Sequence, residues 1–132
     1  MLSTLFAYGT LMPRDAESAA RDGWEPDAVR GLLYDLGTFP ALVSLDDPEA
    51  GWVEGYVRGG VSRERIGRLD AYEETDRGLY RRVRTITRNN RLVWVYVYGR
   101  PLPRDARGPL NRWDGSVQAR PASPLASLQG DP

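Results

Sequence analysis

The chain has 132 residues, of which 41% are hydrophobic and 27% charged, and its formal net charge is zero. That is the size of one domain and an ordinary globular composition, so residues 1–120 are expected to form a single domain and 121–132 a disordered tail. The sequence contains no His and no Cys, and every basic residue is Arg. Zinc clusters, thiolate nucleophiles, disulfides, Ser-His-Asp triads, lysine Schiff bases and phosphate loops ending in Gly-Lys are therefore excluded. A general base working near neutral pH must be an Asp or Glu, or a Tyr of strongly lowered pKa.

With no net charge, the chain has no overall field to draw in nucleic acid or an acidic membrane surface. The local run Arg81, Arg82, Arg84, Arg88 and Arg91 reads as a solvated strand face. The start lacks a basic n-region, and the longest apolar run, Leu92 to Tyr98, is far too short to span a bilayer. A cytoplasmic protein with neither nucleic-acid nor membrane partners is the expectation; oligomeric state is not readable.

In chain order, Leu2 to Tyr8 is a short apolar run stopped by Gly9 and predicts a buried strand. A loop, Gly9 to Pro13, follows it. Residues 14 to 22 suit a short surface helix ended by Gly23. Val29 to Leu36 reads as a strand broken at Gly31, Gly37 to Pro40 as a turn, and Ala41 to Ser44 as a short edge strand. Asp46 to Gly51 is a polar loop without the spacing of a calcium site. Trp52 to Arg58 alternates as a strand does, and Gly55 marks a bulge or a close backbone approach.

The clearest helix starts at Ser62, a good cap, and carries Ile66, Leu69 and Tyr72 at helical spacing up to Glu74. Tyr80 to Arg88 and Arg91 to Tyr98 are β-rich runs joined by Asn89 and Asn90, which predicts a tight hairpin whose second strand is apolar on both faces. From Pro101 onward, prolines and weak periodicity predict an irregular wrap anchored by Trp113.

Two features can carry chemistry. At 100° per residue, Ile66 lies at 0°, Leu69 at about 300° and Glu73 at about 340°, which puts the Glu73 carboxylate on the apolar stripe. Asp70 falls on the edge of that stripe and Glu74 toward solvent. An inward carboxylate needs donors, a proton or a wet pocket, since burying it bare costs several kcal/mol. The residues also permit a frayed helix end where Glu73 pairs with Arg77 or Arg81 at the surface. A hard-metal site from Asp70, Glu73, Glu74 and Asp76 is disfavoured because the four diverge around the wheel. The second feature is Tyr8-Gly9-Thr10-Leu11 after the first strand, whose amides could form a nest for a carboxylate or oxyanion, although for the tetrapeptide taken alone a plain strand-to-loop turn is the better explanation.

The combination and order of segments resembles the γ-glutamylcyclotransferase-like family, in particular its small branch of γ-glutamylamine cyclotransferase type. The resemblance rests on Leu5-Phe6-Ala7-Tyr8-Gly9-Thr10-Leu11, on Gly31 to Gly37 with Phe39 to Val43, and on Val53 to Val57. It continues through Leu69-Asp70-Ala71-Tyr72-Glu73, Tyr80 to Val83 and Trp94 to Tyr98. It implies an α+β fold, a compact mixed β-barrel with one or two flanking helices. It further implies an enzyme that closes a γ-glutamyl amide or amine to 5-oxoproline, with Glu73 as general acid/base. Tyr8, Gly9, Thr10, Leu11 and Tyr80 would then bind the γ-glutamyl substrate, with no cofactor and no metal.

The composition suits such a reaction. The substrate brings its own nucleophile, the α-amino group, and intramolecular positioning can contribute roughly 7 to 11 kcal/mol. A non-catalytic small-molecule binding module on the same fold is the alternative, and an interaction protein using Trp24, Trp52 and Trp113 as anchors is a third class. One residue departs from the family pattern: Glu74 stands where Gly usually follows the Glu, and a side chain resists positive φ. The loop beyond Glu73 is where the resemblance is weakest.

Overall fold

The computed structural model describes residues 2–9 and 11–113. Seven strands and two helices follow one another as β1 (Leu5–Ala7), α1 (Ala16–Arg21), β2 (Glu25–Asp35), β3 (Pro40–Val43), β4 (Gly51–Arg58), α2 (Arg63–Tyr72), β5 (Tyr80–Ile86), β6 (Leu92–Tyr98) and β7 (Arg107–Leu110). A single turn of 3₁₀ helix, Thr75–Arg77, follows α2. The strands form one sheet in the order β3-β2-β4-β1-β6-β5, with β7 paired to β2. Pairing is antiparallel except between β1 and β6. The sheet curls into a half-barrel flanked by the two helices, the α+β mixed architecture that the sequence led one to expect.

Because side chains alternate along a strand, the central strands bury both faces. Leu5 and Ala7 of β1 join Tyr96 of β6 in one apolar cluster, which α2 covers with Ile66 and Leu69 and α1 with Ala19. Phe6, Tyr8, Val93, Val95 and Val97 point the other way, into a second cluster that Trp113 closes. The expected anchor is therefore in place, although β7, just before it, was not foreseen in so proline-rich a stretch.

Several boundaries differ from the sequence expectation. β1 is shorter, and β2 begins at Glu25 and runs through Gly31 without a break. Gly31 is there for packing: a Cβ at this position would stand 2.6 Å from Leu42 Cδ1 on β3. Gly55 does mark a close approach, since its Cβ would meet the Ala7 carbonyl oxygen at 2.3 Å and Phe6 Cζ at 2.6 Å. This lets β1 lie flush against β4. The β5–β6 turn is wider than a two-residue hairpin. Thr87 N–H donates to the Arg91 carbonyl, and only Asn90, at φ 63°, has positive φ.

Trp24 and Trp113 are buried, whereas Trp52 is 40% exposed beside Arg88. Among the described residues no helix is long and apolar enough to cross a membrane. The expected disordered tail, 121–132, lies outside the described residues.

Candidate active site

Helix α2 starts where Ser62 Oγ accepts from Arg65 N–H, and it ends at Tyr72, earlier than the periodicity suggested. Glu73 is its C-cap, with its N–H bonded to the Leu69 carbonyl at 2.8 Å. The stripe that buries Ile66 and Leu69 carries Glu73 with it, and the residue is only 5% exposed. Glu73 therefore does not lie at the surface as a frayed helix end would place it. Arg77 Nη1 lies 3.4 Å from Glu74 Oε1.

Glu74 turns the chain away from the helix at φ 55°, ψ 46°, the left-handed conformation that Gly adopts readily. Glu74 thus takes up the positive φ that its side chain resists. The following turn holds the conformation, because the Glu74 carbonyl accepts from Arg77 N–H at 3.1 Å and from Leu79 N–H at 3.3 Å. The steric cost of a non-glycine residue there is about 1–2 kcal/mol.

Glu73 borders a hollow of about 340 Å³, its open mouth included, together with Phe6, Ala7, Tyr8, Gly9, Leu11, Phe39, Pro40, Tyr80 and Tyr96. Glu73, Tyr8, Gly9, Leu11 and Tyr80 are therefore brought together from three separate stretches of chain, whereas Thr10 lies outside the described residues. Among the described residues no cluster of three or more acidic side chains comes together that could hold a metal ion.

Each of these residues sits there for a local reason. Gly9 follows β1, and Met12 N–H donates to its carbonyl at 2.9 Å, which closes the bend. Its missing side chain makes room for the protein itself, because a Cβ would fall 2.5 Å from Pro40 Cγ. The Tyr8 hydroxyl donates to the Tyr96 carbonyl at 2.6 Å, so its proton serves to hold β6. The Tyr80 hydroxyl donates to the Pro40 carbonyl at 2.6 Å and so ties β5 to the start of β3 across the hollow. Tyr80 also meets Phe39 and Tyr98 edge-on, at 6.2 and 5.6 Å between ring centroids.

Three neighbours were missed from the sequence. Asp70, one turn before Glu73, accepts a hydrogen bond from the Tyr96 hydroxyl at 2.7 Å. It also receives two from Arg82, Nε at 2.8 Å and Nη2 at 3.1 Å. The Arg82 guanidinium stacks 4.1 Å above the Trp94 ring. Burial and the donation to Asp70 push the Tyr96 hydroxyl well above the usual tyrosine range, and the Glu73 charge adds to the shift. Arg82 is thus half-buried, held by Asp70 and Trp94, and not part of a fully solvated strand face. The signal was present: alternation puts Trp94, Tyr96 and Tyr98 on one face of β6, and a tyrosine among buried valines needs a partner for its hydroxyl.

No curated protein is significantly similar in sequence. In fold, the chain is similar to an AIG2-like protein from Mus musculus, with a TM-score of 0.70 at 15% identity over 91% of this chain and 96% of that one. It is also similar to a protein from Arabidopsis thaliana, with a TM-score of 0.58 at 23% identity over 86% and 77% of the two chains. A third similar structure is YkqA from Bacillus subtilis, with a TM-score of 0.56 at 22% identity; the match covers 74% of this chain but 36% of that one. The family model described as gamma-glutamyl cyclotransferase, AIG2-like, matches residues 5–115. The chain belongs to the gamma-glutamyl cyclotransferase, AIG2-like family.

Proposed function

We propose that the protein is a γ-glutamyl cyclotransferase that converts a γ-glutamyl amide or amine to 5-oxoproline, with Glu73 as its general acid/base. The observation that carries this reading is the enclosure of the Glu73 carboxyl in the same hollow as Gly9 and Leu11 of the bend after β1. The lining is mostly apolar and aromatic, which strengthens the charge interactions made against it.

In the reaction, Glu73 takes a proton from the substrate's α-ammonium group. The freed nitrogen attacks the γ-carbonyl carbon and closes a five-membered ring. The resulting oxyanion is held by backbone N–H groups at Gly9 and Leu11, each worth about 3 kcal/mol by analogy with other oxyanion holes. The bond from that carbon to the leaving nitrogen then breaks. The ring nitrogen keeps one of its three protons. The other two, one carried by Glu73, end on the departing amine, which leaves as its ammonium. Tyr80 walls the site and keeps the chain folded back. No covalent intermediate, cofactor or metal is needed, in keeping with a sequence that lacks His, Cys and Lys.

The test is a panel of γ-glutamyl amines, γ-glutamyl dipeptides and γ-glutamyl-lysine isopeptides assayed for 5-oxoproline with wild type and Glu73→Gln. Wild type is expected to release 5-oxoproline from at least one, and Glu73→Gln to keep its fold and ligand binding while losing turnover by at least a thousandfold. Turnover that survives in Glu73→Gln removes the residue from this role.

A further inference from the structure

Tyr96 and Arg82 are direct cross-strand partners on β6 and β5, so both side chains stand on the face that α2 covers. Asp70 and Glu73 are three residues apart on or next to that helix and also face the sheet. The charged groups that act on the Tyr96 hydroxyl are therefore Asp70 and Glu73 from the helix side and Arg82 from the neighbouring strand. Their arrangement fixes what the hydroxyl can do. A phenol has one proton to give and lone pairs with which to accept. The Tyr96 proton is spent on Asp70 Oδ1 at 2.7 Å, and Asp70 also accepts two hydrogen bonds from a guanidinium that is itself stacked on Trp94. Toward the hollow that it lines, Tyr96 has only acceptor capacity left.

Resting on the reading of the hollow as the γ-glutamyl site, we propose that Tyr96 is a substrate-positioning residue. Its hydroxyl oxygen accepts a hydrogen bond from the substrate's α-ammonium group beside Glu73, and Asp70 and Arg82 act through it by keeping it an acceptor. Two acceptors near one another suit an ammonium, which has three donors and no acceptor. A phenol free to rotate could instead donate to the Glu73 carboxylate and compete with the substrate for it.

The experiment compares two probes by calorimetry on Glu73→Gln protein, where turnover is absent: a γ-glutamyl alkylamide, and the same amide of glutaric acid, which lacks the α-amino group. Tyr96→Phe is expected to weaken the ammonium-bearing probe about tenfold or more, the scale of a hydrogen bond to a charged group, and to leave the glutaric amide within about twofold. In the enzyme with Glu73 intact, the same variant is expected to raise KM far more than it lowers kcat. Arg82→Gln is expected to shift the two probes in the same sense and Arg82→Lys to restore part of the difference, which keeps the test open if Tyr96→Phe is poorly folded. Equal weakening of both probes would assign Tyr96 a purely structural role and overturn the proposal. So would an unchanged affinity for the ammonium probe while wild type still releases 5-oxoproline. Failure of Glu73→Gln and wild type alike to bind either probe overturns the underlying reading of the hollow as well.

Discussion

A Gly9→Ala substitution places a methyl carbon 2.5 Å from Pro40 Cγ and 3.1 Å from its Cδ, where comfortable carbon contacts are about 3.5–4.0 Å. Roughly 1 Å must be found. The pyrrolidine ring has no rotamer to escape into, and Pro40 is fixed by the Tyr80 hydroxyl on its carbonyl and by fully buried Ala41 and Leu42 after it. Overpacking of this kind costs about 1–3 kcal/mol. Gly9 does not sit at positive φ, so the alanine recovers about 0.4–1 kcal/mol by restricting the unfolded chain. The net loss is about 1–2 kcal/mol, read by urea unfolding or as a fall in Tm of roughly 5–10 °C. Since the displaced parts are two walls of the hollow, 5-oxoproline release is expected to fall about tenfold to a hundredfold, as misplacements near 1 Å do. Pro40→Ala in the Gly9→Ala background removes the colliding atoms and is expected to recover part of the stability, with a coupling of about 1 kcal/mol or more in the double-mutant cycle. A fully stable, fully active Gly9→Ala, or a double variant showing no coupling, would refute the packing argument.

Glu74→Gly removes a left-handed strain of about 1–2 kcal/mol and adds about 0.5–1 kcal/mol of unfolded-chain entropy, while the exposed pair with Arg77 is worth little. It is expected to be neutral to about 1 kcal/mol more stable by urea unfolding, and a loss above 1 kcal/mol would show that the side chain does more than tolerate the turn. Asp15 caps α1 by accepting from Ser18 N–H at 2.7 Å, which holds its carboxyl below the usual range. A lowered folded pKa contributes stability that is fully present above the unfolded value of 3.8 and is lost as pH falls from there through the lower folded pKa. The stability gap between wild type and Asp15→Ala, followed by thermal unfolding against pH, should therefore be full at pH 6 and shrink as pH falls below 3.8.

The acidic half of the site was legible because one helix face writes it directly: Ile66, Leu69 and Glu73 share a stripe, and burial of the first two carries the third inward. The bend after β1 was legible from an apolar run ended by Gly9. Its reason was not, since nothing local announces that residue 40 will press against residue 9. The Asp70, Arg82 and Tyr96 arrangement failed to show for the same cause, because it depends on the β5–β6 register as well as on the helix lying over it. β7 carries too few residues, one of them proline, for any periodicity to register, and it is held by pairing with β2. The extension of β2 back to Glu25 was hidden by Pro26, yet β4 pairs with it along that whole stretch.

β1 is three residues long, yet it lies in the middle of the sheet, hydrogen-bonded to β4 on one side and β6 on the other. Its two neighbours are therefore encoded far downstream, and the strand from which the bend hangs has no sheet partners on both sides until both exist. A ribosome must deliver the chain through Tyr98 before the cavity can enclose anything, and closing loops of that span makes its completion an intrinsically slow, late event. No amino-terminal fragment shorter than that can possess the site, whatever secondary structure it acquires on the way.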